Sequence, residues 1–157
     1  GVEKVILQTA VLKNPELISE IAQRFGSQSV VVSADVKRDW LGRYRLWSSA
    51  AKRKFPDNWL ETLKMLVAMG AGEVLLNSVD RDGMQTGYDL PLIQAAAGAV
   101  DVPLIALGGA GGVSDFARAI GAGASAVAAG SFFVMQGSHR AVLITYPEYS
   151  DLEKCLR

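Results

Sequence analysis

Residues 102–131 read VPLIALGGAGGVSDFARAIGAGASAVAAGS, and the fold of the whole chain is decided there. Residues 102–107 are an apolar run the length of one buried strand. The chain then breaks into Gly108-Gly109-Ala110-Gly111-Gly112. Val113, Phe116, Ala117 and Ile120 follow at helical spacing, with Ser114 placed as the expected cap. Gly121 and Gly123 stop that helix, and a second small-residue strand over 124–129 ends at Gly130-Ser131. Glycines let backbone N–H groups approach an anion closely, and a helix starting next adds the positive end of its dipole. Two successive strand ends of this kind are how α/β barrels hold phosphate after strands seven and eight. The same glycines also permit tight strand-to-helix turns, and the stretch by itself leaves both uses open.

The alternation continues upstream. Residues 2–7 (VEKVIL) are expected to form a strand ending at Gln8-Thr9. Asn14-Pro15 starts a helix with Leu17, Ile18, Ile21, Ala22 and Phe25 on one face, closed by Gly26. Residues 29–36 (SVVVSADV) are a strand with Asp35 near its C-terminal end. Residues 39–55 break the rhythm with a turn at Gly42, with Trp40, Tyr44 and Trp47, and with a Lys52-Arg53-Lys54 cluster; a hairpin excursion is expected. Asp57 caps a helix reaching Met69, residues 73–79 form the next strand, and Asp80-Arg81-Asp82-Gly83 is its turn. A small-residue helix over 90–100 starts behind Asp89, with Pro91 in its first turn, and a last helix is expected over 150–156.

Repeated strand–helix units with nearly continuous apolar strands mean a parallel sheet covered by helices. An open doubly wound sheet collects its ligand groups at one switch point. Here they recur at the C-terminal end of every strand, at Gln8-Thr9, Asp35, 77–82, Gly108-Gly109 and Gly130-Ser131. That spread favours an incomplete TIM-type (β/α)8 barrel of about five β/α units, forming one domain over 1–157.

Composition narrows the function. Lys+Arg and Asp+Glu both number 16, which removes any electrostatic case for nucleic acid or an anionic membrane. No stretch approaches the ~20 apolar residues of a membrane span, and the first residues do not read as a signal peptide. Cys155 is the single cysteine, so no internal disulfide framework exists, and a reducing compartment, the cytoplasm, is expected. Neither a metal nor an organic cofactor is expected.

Four segments in register carry a family resemblance: GVEKVILQTA (1–10), NPELISEIAQRFGSQSVVVSADVKR (14–38), GAGEVLLNSVDRDGMQTGYD (70–89) and VPLIALGGAG (102–111). Together they resemble the cyclase subunit of imidazole glycerol phosphate synthase, the HisF family, aligned with strands four to eight of its barrel. The resemblance implies a reaction of histidine biosynthesis. A bis-phosphate ribulosyl aminoimidazole carboxamide intermediate and ammonia give imidazole glycerol phosphate and an aminoimidazole carboxamide ribotide. The ammonia would come from a glutaminase (HisH-type) partner. Two aspartates serve as general acid and base; Asp35 matches the one on strand five, and the other belongs to strand one, outside these residues. The chain by itself is therefore expected to be inactive.

By the same match Gly108, Gly109, Gly130 and Ser131 bind one substrate phosphate, while Gln8 and Thr9 face the other. Asn77 points into the substrate, and Asp82 with Gly83 shapes the rim above it. Lys4 and Glu73, at the opposite ends of their strands, match a salt-bridged gate for ammonia. The residues themselves allow a second use for some of these. A carboxylate ending an apolar strand can have its pKa lifted toward the working range, yet Asp35 could equally pair with Lys37 or Arg38. Residues 80–83 could be a plain turn with solvated charges.

Several positions depart from the family pattern, with Gln8 in place of Asn, Asn77 in place of Thr and Leu107 in place of Ser. The tail GSFFVMQGSHRAVLITYP (130–147) is more similar to a cyclase-like paralogue group that accompanies sugar amidotransferases in surface-polysaccharide pathways. A third reading is a catalytically inactive, phosphate-binding half-barrel. A barrel interrupted after five strands has open edges at 2–7 and 124–129, so a homo-oligomer is expected.

Overall fold

The computed structural model describes residues 1–48, 53–54, 58–137 and 141–156. It begins with β1 (Val5–Leu7), α1 (Thr9–Lys13) and α2 (Glu16–Phe25), and a 3-10 turn at Ser27–Ser29 leads into β2 (Val30–Arg38). The excursion holds β3 (Tyr44–Ser48) and β4 (Arg53–Lys54). Then come α3 (Trp59–Ala68), β5 (Glu73–Ser78), α4 (Leu90–Ala97), β6 (Leu104–Leu107), α5 (Val113–Gly121) and β7 (Ala126–Val127). The chain closes with α6 (Ser131–Val134), a small hairpin of β8 (Met135–Gln136) and β9 (Ala141–Val142), and α7 (Tyr149–Leu156).

Strands β1, β2, β5, β6 and β7 run parallel, each beside its predecessor among these five. The order never reverses, so this sheet has no switch point of the doubly wound kind. It is a partial TIM-type barrel. The 39–55 excursion is antiparallel, as expected of a hairpin: β3 pairs with the far end of β2, Arg38 opposite Tyr44, and β4 pairs with β3. Lys52 lies outside the described residues.

Side chains alternate across each strand, and the two faces have different neighbours. Val30, Val32, Ala34 and Val36 of β2, Val74 and Leu76 of β5, and Leu104 and Ala106 of β6 are buried under the helices. Ile18 of α2, Leu63 and Leu66 of α3, Leu92 of α4 and Phe116 of α5 complete that core. The inner face carries Ile6, Val31, Ser33, Asp35, Glu73, Leu75, Asn77, Ile105 and Leu107. It is the less covered one: Ile6 is 61% exposed.

Helix starts follow local chemistry, with some differences from the sequence reading. Asp89 caps α4, its carboxylate accepting the Leu92 N–H at 3.3 Å, with Pro91 in the first turn. The expected cap Asp57 lies outside the described residues; Asn58 caps α3 by accepting the Glu61 N–H. Ser114 is not the cap of α5; Gly112 holds that position, and Asp115 accepts the Gly111 and Gly112 N–H groups at 2.8 and 3.1 Å. Thr9 opens a short helix, α1, ahead of the one expected from Asn14-Pro15. Phe25 is 58% exposed rather than packed, with the Arg24 guanidinium over its ring at 5.2 Å.

Candidate functional site

Parallel strands deliver their C-terminal ends to one rim of the sheet, and on the inner face there Asp35 of β2 is buried, 8% exposed. Both carboxylate oxygens are held. The Gln8 side-chain amide, at the end of β1, donates to Oδ2, and the Asn77 amide of β5 donates to Oδ1 at 3.2 Å. Burial pushes the Asp35 carboxyl above its ordinary range. The hydrogen bonds from Asn77 and Gln8 pull it down, and the charge of Asp82 pushes it up again. The alternative pairing of Asp35 with Lys37 or Arg38 is not what forms. Arg38 bonds to Asp89 at 3.1 Å, and the Lys37 ammonium lies 5.3 Å from the Trp47 ring centroid.

Other rim residues are distributed as follows. Thr9 shares a hydrogen bond with Ser48 at 2.9 Å, tying β3 to the start of α1. Asn77 stands opposite Asp35 on one side and Leu107 on the other. Its Oδ1 is buried and has no hydrogen-bond partner among the described residues. Residues 80–83 are more than a solvated turn: Asp80 accepts the Arg38 N–H at 2.7 Å, and Arg81 donates to the Gly87 carbonyl at 3.0 Å. Asp82 is exposed and Gly83 half-buried, with a positive φ of 74°.

The glycine loop after β6 is shaped by contact. Gly108 and Gly109 are buried with φ of 92° and 110°. A Cβ on Gly109 would lie 2.3 Å from the Gly87 carbonyl oxygen, so only glycine fits. The Gly111 and Gly112 N–H groups are taken up by Asp115. Gly130 and Ser131 lie at the start of α6, beside the neighbouring strand end.

Three rim residues escaped the sequence reading. Gln85, with a φ of 56°, donates its amide to the carbonyls of Ser131 and Met135 at 3.1 and 3.3 Å, joining the loop after β5 to that after β7. The Tyr88 hydroxyl donates to the Ala128 carbonyl at 2.9 Å. Tyr44 donates to Asp89 at 2.8 Å, locking the excursion onto the start of α4. No residue type in DRDGMQTG (80–87) singles out Gln85, and the contacts of all three residues are long-range.

At the opposite end of the inner face Lys4 and Glu73 form an ion pair, with side-chain exposures of 47% and 20%. An open depression of about 760 Å³ also lies at that end, walled by the loops after α2, α3 and α4, far from Asp35 in the strand direction. Cys155 is half-buried, its thiol donating to the Val113 carbonyl at 3.1 Å. Among the described residues no group of three or more His, Cys, Asp or Glu is arranged to hold a metal, and no helix is long and apolar enough to cross a membrane.

A family model described as "Histidine biosynthesis protein" matches residues 1–139. The chain belongs to that histidine biosynthesis family. It is 47% identical over 138 residues to the imidazole glycerol phosphate synthase subunit HisF of Thermobifida fusca, covering 85% of this chain and 54% of that one. It is 46% identical over 157 residues to a Pseudomonas aeruginosa protein provisionally named imidazole glycerol phosphate synthase subunit hisF2, covering 98% of this chain and 61% of that one. A Vibrio vulnificus protein, provisionally named subunit hisF3, is 42% identical with 99% and 61% covered. The chain thus spans about three fifths of the length of these relatives.

Proposed function

We propose that this chain is the C-terminal part of a HisF-type cyclase. Its barrel would use ammonia from a HisH-type glutaminase to cleave a bis-phosphate ribulosyl aminoimidazole carboxamide intermediate, in lyase chemistry, and close the imidazole ring of imidazole glycerol phosphate. Asp35 carries the reading: a buried carboxyl, raised by desolvation, stands on the same rim as a glycine loop that only glycine can form. The Lys4–Glu73 pair at the other end of the same face suits an ammonia entrance. A partner subunit would dock at that end, and the enzyme would work in the cytoplasm. Asp35 moves a proton, the glycine loop and Ser131 hold one phosphate, Gln8 and Thr9 border the other, and Asp82 with Gly83 frames the rim. The second acid–base carboxylate belongs to the barrel strands that precede these in the relatives.

Turnover is therefore assayed in a chain carrying those strands, with ammonium salt as nitrogen source. Asp35→Asn is expected to lower ammonia-dependent turnover by at least ~10²-fold. Unchanged turnover removes Asp35 from the reaction. A second reading, an ammonia-delivering partner of a sugar amidotransferase, is favoured by Leu107 beside Asn77 on the rim. The relatives named hisF2 and hisF3 also align over nearly the whole chain. That reading predicts no turnover of the bis-phosphate by the extended chain under any nitrogen source. An inactive half-barrel would instead bind phosphate and turn over nothing.

A further inference from the structure

Asp35 is the one described inner-face carboxylate on the C-terminal rim that is gripped from both sides, by strands other than its own. Gln8 reaches it from β1 and Asn77 from β5, one amide N–H to each oxygen. Asn77 has a second contact that neither neighbour shares. A Cβ built on Gly108 would fall 2.8 Å from Asn77 Oδ1 and 2.6 Å from the Ser78 carbonyl oxygen, so the Asn77 side chain abuts the first glycine of the loop. Asn77 Oδ1 is sealed from solvent and accepts no hydrogen bond among the described residues. Leaving it so has a cost, which the amide's other end offsets by a charge-assisted bond to Asp35.

We infer that Gln8 and Asn77 are positioning residues forming an amide clamp, which fixes the direction of the Asp35 carboxylate and couples it, through Asn77, to the glycine loop at Gly108. The clamp uses one lone pair on each oxygen and leaves the others for a ligand or a proton. Its geometry follows from strand register: Asp35 lies directly opposite Asn77 in the β2–β5 ladder, so the amide needs no backbone adjustment to reach. A hydroxyl at position 77 is shorter and could not touch both groups. Gln8 and Asn77 thus hold the acid at two points. It rests on the proposed reaction only for its effect on turnover; the clamp itself is a property of the folded chain.

Nuclear magnetic resonance on the chain labelled with 15N throughout and with 13C in the Asp side chains tests it. In the unsubstituted protein the Gln8 and Asn77 NH2 signals are expected to titrate with the Asp35 carboxyl midpoint, because each donates to the ionising group. Other charges on neighbouring elements are accounted for in the same titration. Asp82, in the turn after β5, pushes Asp35 up; Lys37 lies next on the inner face of β2; Lys4 and Glu73 lie at the far end of β1 and β5. Gln8→Met and Asn77→Ala are each expected to raise the Asp35 midpoint by about one pH unit, the equivalent of one hydrogen bond to a charged group. Asn77→Ala alone is expected to move the Gly108 amide signal.

NH2 signals that do not follow Asp35 in the unsubstituted chain would overturn the clamp, whether or not either variant folds. Midpoints unchanged in both variants would overturn it too, and a Gly108 signal indifferent to Asn77→Ala would remove the coupling. Midpoints that move while the extended chain shows no turnover leave the clamp standing and refute only the cyclase reading.

Discussion

Replacing Gly109 by alanine should damage the fold far more than the same change three residues later at Gly112. At Gly109 the φ of 110° disfavours any side chain, at about 1–2 kcal/mol. The new Cβ would sit 2.3 Å from the Gly87 carbonyl oxygen and 3.1 Å from the Arg81 Cβ, both on the loop after β5. That loop must move, and the 2.7 Å bond from the Gly87 N–H to the Gly109 carbonyl goes with it, at about 0.5–1.5 kcal/mol. Together the loss is about 1.5–3.5 kcal/mol, a large share of the ~5–15 kcal/mol that holds a domain. Gly112 has φ of −166°, ordinary extended backbone, and its nearest neighbour is the Ser114 hydroxyl at 3.9 Å. Alanine there should change stability by less than about 1 kcal/mol. With a urea slope of about 2 kcal/mol per M, Gly109→Ala lowers the unfolding midpoint by roughly 1–2 M and Gly112→Ala by less than about 0.5 M. Equal midpoints would show that the loops after β5 and β6 are not pressed together as described.

Further expectations concern charge and assembly. Burial raises the Asp39 carboxyl, but bonds from the Arg43 and Leu41 N–H groups and the Arg43 and Arg45 guanidiniums outweigh it and hold the group down at about 2. Its folded-state value is thus depressed. The stability it adds is present above the unfolded carboxylate range and disappears as pH falls toward 2, so the midpoint difference between the parent and Asp39→Asn should shrink from pH 5 to pH 2. A difference independent of pH contradicts this. The half-exposed Lys4–Glu73 pair should show a coupling below about 1 kcal/mol in a double-mutant cycle of Lys4→Met and Glu73→Gln, as suits a pair that opens; about 2 kcal/mol or more would mean a fixed bolt. Among the described residues β1 and β7 each pair with a single neighbour, and uncovering even ~400 Å² of inner face forfeits about 10 kcal/mol, so the isolated chain should self-associate. Light scattering showing only one-chain mass at micromolar concentration refutes it.

The parallel sheet was legible because glycine and proline punctuate each unit and both strand faces are apolar. Element ends were less so. Residues 124–129 have the composition of a strand, but only Ala126–Val127 pair, the segment lying at an edge with one neighbour to bond. Thr9–Lys13 form a helix that no periodicity announces, since five residues give barely more than one turn. Ser114 looked like the cap because serine commonly is one; Asp115 did the work from inside the helix, a carboxylate reaching back to two N–H groups. Asp35 could be read as special from its place at a strand end, but not its partners. Gln8 and Asn77 lie 27 and 42 residues away, and only strand register brings them to it.

The strand register follows the parity of residue numbers. Lys4, Ile6 and Gln8 share a face of β1 and its flanks, Val31, Ser33 and Asp35 share a face of β2, and Glu73, Leu75 and Asn77 share a face of β5. On each strand the polar groups fall at an end of the inner face and apolar or small ones lie between, so the charged pair Lys4–Glu73 and the clamped Asp35 are separated by the level of Ile6, Ser33, Leu75 and Ile105. A slip of one residue would carry these polar groups to the outer face, among Val30, Val32, Val74 and Leu76, where nothing could satisfy a charge. The polar marks therefore fix the register as firmly as the apolar ones do. The same constraint that makes the sheet fold in one way places an acid at one rim and an ion pair at the other.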